Sequence, residues 1–107
     1  MITEGDLKQA YDAVKLNTEK VIDSGFAHEM AKAKLDVKVL EATFDGRIQG
    51  KNEGERKAVA MQLFQQDFKN VDDKEYEYKV DTKALSLARI HLDFIRDCIR
   101  IEELANK

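Results

Sequence analysis

His91 and Cys98 are the residues that first suggest chemistry, because seven positions separate them and that spacing places both on one face of a helix, two turns apart. A metal site needs at least one further ligand at short spacing, and neither neighbourhood supplies it. His28 stands beside Glu29 with no nucleophile at hand, so a hydrolytic triad has no basis and the residue reads as a solvated helix position. Carboxylates are abundant: Glu75 and Glu77, Asp93 and Asp97, Glu102 and Glu103. Asp93 and Asp97 have Arg89, Arg96 and Arg100 within helical reach, and surface ion pairs account for them without catalysis. The Glu-x-x-His spacing of di-iron helical proteins does not occur. These residues predict no catalytic group, no metal and no cofactor.

The remaining candidate is Gly46-Arg47-Ile48-Gln49-Gly50-Lys51-Asn52, which superficially suggests a phosphate loop. A P-loop has four residues between its glycines, Ser or Thr after its lysine, and a strand before it. Here three residues separate the glycines, Asn52 follows the lysine, and a helical pattern precedes the stretch. What survives is a basic cluster, Arg47, Lys51, Arg56 and Lys57, beside the free amides of a starting helix that could hold an anion. The simpler reading is electrostatic: the cations neutralise the end of one helix while Glu53 and Glu55 neutralise the start of the next. Acidic Asp45, Glu53 and Glu55 dilute the patch.

The same stretch predicts a reversal of the chain. Glycine adopts φ > 0 freely, so Gly46 and Gly50 are where an upstream helix can stop. Asn52 can cap the next helix, with Glu55 at the second position of a capping box. Upstream, Thr3 and Asp6 form a capping-box-like start near residue 4, followed by Leu7, Tyr11, Val14, Thr18 and Ile22 on one side. Phe26, Met30, Ala33, Val37, Leu40 and Phe44 continue as the cleanest heptad in the chain. Ser24-Gly25 either breaks the helix or is carried through it; if carried, residues 4 to 45 make a rod of about 60 Å.

Downstream, residues 53 to 69 read as a helix burying Val59, Ala60, Leu63, Phe64 and Phe68. Asn70-Val71-Asp72-Asp73 reads as an interruption, and a last helix is expected over 73 to 105. The brief alternation Tyr76-Glu77-Tyr78-Lys79-Val80 resembles a strand, but a lone strand has nothing to pair with. On the last helix, the heptad Val80, Ala84, Leu87, His91, Phe94, Cys98, Ile101 and Ala105 is joined by a second row, Leu85, Ala88, Leu92, Ile95 and Ile99. So wide an apolar face meets more than one neighbour, which makes Leu85, Leu92, Ile95 and Ile99 the candidate interface with a second copy.

Composition agrees with helices. Of 107 residues, 36% are charged, 43% hydrophobic and 7% aromatic, with no proline; this favours amphipathic helices over a sheet, and one domain over two. A net charge of −3 argues against coating nucleic acid through overall charge. The single cysteine excludes an internal disulfide and fits a reducing compartment. No leader-like N-terminus and no apolar run of membrane-spanning length is present, so the cytoplasm is the expected location.

The stretch Gly46 to Ala58 resembles the G-x-I-x-G-K-N-x-x-x-R-x-A segment of a group of small all-helical proteins from tailed bacteriophages and prophages, where it joins an amino-terminal helix to those that follow. Gly54 departs from the alanine that the resemblance leads one to expect there. The resemblance implies a cytoplasmic protein of a bacterial host cell made from phage or prophage, and no particular activity. Within it Asn52 would cap, the glycines would turn, and Arg56 would reach back to Asp45.

The expected protein is therefore all-α, a long antiparallel helical hairpin with a long C-terminal helix, forming a single domain over 1–107 and pairing as a dimeric bundle. Its expected role is non-enzymatic: an oligomeric adaptor, or an inhibitor of a host or phage protein. The alternative is nucleic-acid binding through the basic cluster at the turn.

Overall fold

In a computed structural model, which describes residues 1–106, the chain forms three helices: α1 Glu4–Phe44, α2 Glu53–Leu63 and α3 Gln65–Ala105. No strand occurs among the described residues, and Tyr76 to Val80 lie inside α3. The all-α hairpin is thus the fold, with α1 and α3 packed against each other. Gly25 is carried through α1 without a break, as an isolated glycine costs only ~1 kcal/mol in a helix.

The chain divides into two compact units, Met1–Asp23 with Tyr78–Lys107, and Ser24–Glu77. In the first, α1 opens on a reciprocal capping box. The Asp6 amide donates to Thr3 Oγ1 at 3.2 Å and the Thr3 amide donates to Asp6 Oδ2 at 2.8 Å. The core is Ala10, Leu92 and Ile95, with Ile2, Leu7, Val14 and Ile99 packed against it. The Ile2 amide donates to Glu102 Oε1 at 3.2 Å, and Arg96 donates from Nε to the Tyr11 hydroxyl at 3.1 Å, its guanidinium 5.0 Å from the ring centre. Leu85, Leu92 and Ile95 are buried and Ile99 half-buried within the chain itself. This corrects the interface expected there: Leu92, Ile95 and Ile99 belong to the core that faces α1, and the surplus row of α3 is its neighbour, Val80, Leu87, Phe94 and Ile101, all exposed.

In the second unit the core is Ala42, Ile48 and Ala60, flanked by Val39, Val59, Phe64 and Phe68. Lys38 Nζ bridges α1 to α3 at Asp67, 2.8 Å away. The break between the second and third helices falls at Phe64, not at Asn70 to Asp73. Phe64 leaves helical geometry at φ −119°, ψ 39°, yet its amide still donates to the Ala60 carbonyl at 2.9 Å and the Phe68 amide to the Phe64 carbonyl at 3.0 Å. The break therefore leaves Phe64 and Phe68 both on the core, whereas Asn70, Asp72 and Asp73 are exposed inside α3 and have no helix end to cap.

On α1 the heptad from Phe26 to Phe44 faces outward. The buried positions of α1 in this unit are Ser24, Ala31, Leu35 and Ala42, while Phe26, Met30, Ala33, Val37, Leu40 and Phe44 are exposed. Small side chains let a neighbouring helix approach closely, so the row of smaller residues won the internal contact and the greasier heptad was left outside.

Candidate functional site

The turn is built as the glycine and asparagine positions dictate, though the two glycines act differently. Gly46 sits at φ 76°. Its amide donates to the Thr43 carbonyl at 3.2 Å and the Arg47 amide to the Ala42 carbonyl at 2.9 Å, the paired bonds of a Schellman helix end. Gly50 has no positive φ. A Cβ there would lie 2.8 Å from Glu55 Cβ and 2.9 Å from the Arg56 amide nitrogen, so glycine is required by close approach. Between them Ile48, which sequence reasoning missed, is 6% exposed and pins the loop to Ala42 and Ala60. Its signal was available: a β-branched apolar residue alone among glycines and charges has reason to be in a loop only if it is buried.

Asn52 caps α2, its Oδ1 accepting the Glu55 amide at 2.9 Å. Glu55 returns a bond from its carboxylate, accepting the Lys51 amide at 2.7 Å. The pair reproduces the reciprocal logic of a capping box with the return bond one residue earlier.

Arg47, Lys51, Arg56 and Lys57 are all exposed, but they do not form one positive surface. Arg47 Nη2 lies 3.4 Å from Asp45 Oδ2. Arg56 Nη1 donates to the Gly50 carbonyl at 3.2 Å, which corrects the expected contact with Asp45: that carboxylate is taken by Arg47. Arg56 and Lys57 line an open groove of about 460 Å³ together with Val39, Leu40, Ile48, Ala60 and Phe68, and Asp36 and Glu53 share it. A groove with both signs of charge over an apolar lining suits a peptide or helix better than a polyanion.

Chemistry elsewhere is sparse. His91 is exposed, Cys98 half-buried, and His28 half-buried instead of solvated. Among the described residues no group of three or more His, Cys, Asp or Glu side chains is placed to hold a metal ion. Asp93 lies 4.0 Å from Arg96 Nη1. Asp6 and Arg96 are held away from their ordinary pKa. The Thr3 amide first, and its hydroxyl second, keep the Asp6 carboxyl below the usual range, and the Tyr11 hydroxyl raises Arg96 further above an already high value. Both are structural contacts.

The largest feature is apolar. On α1, Phe26, Met30, Val37, Leu40 and Phe44 are between 43% and 82% exposed, and with Ala33 they make an uninterrupted heptad stripe. On α3, Val80, Leu87, Ile90, Phe94, Ile101 and Leu104 make another. Exposed apolar rows of this kind mark binding surfaces. No helix among the described residues is long and apolar enough to cross a membrane. No family model, curated protein or solved structure matches this chain.

Proposed function

We propose that this is a non-enzymatic interaction protein of phage or prophage type, working in the cytoplasm of a bacterial host as an oligomeric adaptor or inhibitor of another protein. The observation that carries this reading is the α1 stripe from Phe26 to Phe44, exposed along its whole length while smaller residues of the same helix are buried. A stripe of this spacing takes an amphipathic partner by inserting side chains at steps of three and four. The resemblance at the turn supports the phage origin.

The test is affinity capture from a bacterial lysate with the full chain and with a Val37→Asp, Leu40→Asp variant. One stoichiometric protein, lost in the variant while helical circular dichroism is unchanged, is the expected result. Capture that is identical for both proteins removes the α1 stripe as the site.

The competing reading is nucleic-acid binding through Arg47, Lys51, Arg56 and Lys57. It requires binding to DNA or RNA that falls steeply with salt and disappears in Lys51→Ala, Arg56→Ala. The carboxylates of Asp36, Asp45 and Glu53 near these cations weigh against it. Turnover of a nucleotide by the pure protein would overturn both readings.

A further inference from the structure

We propose that the exposed row of α3 is where a second copy of this chain docks, antiparallel, about a two-fold axis through Ile90. The inference rests on the reading of the chain as an oligomeric interaction protein and supplies the partner for one of its faces.

The row runs Val80, Lys83, Leu87, Ile90, Phe94, Asp97, Ile101, Leu104, at alternating steps of three and four. Every member is exposed, and all but two are apolar. The exceptions are informative. Lys83 and Asp97 carry opposite charges and each lies seven residues from Ile90, about 10 Å along the helix on either side. Neither enters an ion pair among the described residues.

A two-fold at Ile90 places Lys83 opposite the partner's Asp97, and Asp97 opposite the partner's Lys83. The same operation brings Leu87 to within one residue of level with the partner's Phe94, and Val80 likewise with the partner's Ile101, an offset of about 1.5 Å along the helix, so the apolar positions also meet. Parallel pairing in register would put lysine on lysine and aspartate on aspartate. A foreign apolar helix would strand both charges. Self-complementarity of this kind is what a closed two-fold interface requires.

The surface area agrees. The chain exposes 8298 Å², whereas a compact monomer of this mass exposes about 6100 Å². The difference, roughly 2200 Å², exceeds the ~800 Å² that each partner contributes to a standard stable interface.

Sedimentation equilibrium of the full chain, of Lys83→Asp, of Asp97→Lys and of their mixture tests the arrangement. The wild type is expected to dimerise, and each variant alone, facing like charges twice, to dimerise at least about tenfold more weakly. Mixed in equal amounts the two variants regain opposite charges at both contacts, and a heterodimer of near wild-type affinity is expected. Should either variant lose its helical circular dichroism, Ile90→Lys, which sets like charges face to face at the axis, takes its place with the same expected weakening.

Variants that dimerise like the wild type, a mixture that fails to recover, or a wild type that is monomeric at micromolar concentration overturns the proposal. A monomer that still captures a foreign protein through the α1 stripe defeats this dimer and leaves the functional reading intact. A dimer that obeys the charge exchange but captures nothing does the reverse.

Discussion

Gly50 and Gly46 separate two reasons for a glycine, and mutation distinguishes them. At Gly46 alanine would have to hold φ 76°, a left-handed conformation that costs an L-residue about 1–2 kcal/mol. At Gly50 the backbone is ordinary, but a methyl group would meet the Arg56 amide nitrogen at 2.9 Å, and main chain yields less readily than a side-chain tip. Gly50→Ala is therefore expected to destabilise by about 1–3 kcal/mol, as overpacking does, and by at least as much as Gly46→Ala in urea denaturation. Much of this turn was legible in advance, because a helix end and an N-cap are decided by a few neighbouring residues. Arg56 was not: whether it meets Asp45 or the Gly50 carbonyl depends on loop geometry that residue types do not encode.

At the other end of α1, the Asp6 carboxyl is held below its ordinary value of 3.8 by Thr3. A depressed carboxyl stabilises the folded state fully above its unfolded pKa and loses that contribution as pH falls through the lower, folded one. Amide protection factors in the first turn of α1, with intrinsic exchange divided out, are thus expected to fall as the solution is acidified below about pH 4, the range where a free aspartate protonates. In Asp6→Asn that acid-dependent step should be absent.

At the scale of elements, periodicity pointed to helix over residues 4 to 45, left open whether Gly25 breaks it, and could not establish which side faces inward. Two heptad rows run along α1 in the Ser24–Glu77 unit, one of larger apolar residues from Phe26 to Phe44 and one through Ser24, Ala31, Leu35 and Ala42. The first is the more apolar; the second is the one that the fold buries. The same ambiguity made candidate interface residues of Leu92 and Ile95, which proved to be core. It also hid the bend at Phe64, since nothing in a phenylalanine announces a helix end.

The assignment of rows is open to a direct check. Leu35 is 7% exposed and Leu40 57% exposed. Leu35→Ala should cost about 2–5 kcal/mol, while Leu40→Ala, measured at a concentration where the protein is monomeric, should stay within about 0.5 kcal/mol. Equal losses would mean that the two rows are not divided between core and surface as described.

For the whole molecule, the uncovered rows and the excess of exposed surface pose an energetic problem as well as a functional one. A chain of this length has little hydrophobic core at its disposal, here divided between two small clusters, and stability of such domains is a small difference between large terms. Here the buried residues of α1 include two alanines and a serine in the Ser24–Glu77 unit, and the core of the other unit is led by Ala10, Leu92 and Ile95. Small side chains remove little apolar area from water, at roughly 25 cal/mol per Å², so much of the available stabilisation lies in Phe26, Val37, Leu40, Leu87, Phe94 and Ile101, which the isolated chain leaves exposed. Covering one row with a second copy adds that term only when the partner is bound, and linkage then ties stability to protein concentration. The thermal midpoint should accordingly rise as concentration is raised from below to above the dimer dissociation constant. The rise should vanish in Ile90→Lys, which blocks the α3 face, and persist in Val37→Asp, which does not touch it. A midpoint independent of concentration across that range would show that the isolated chain already holds all the stability it has.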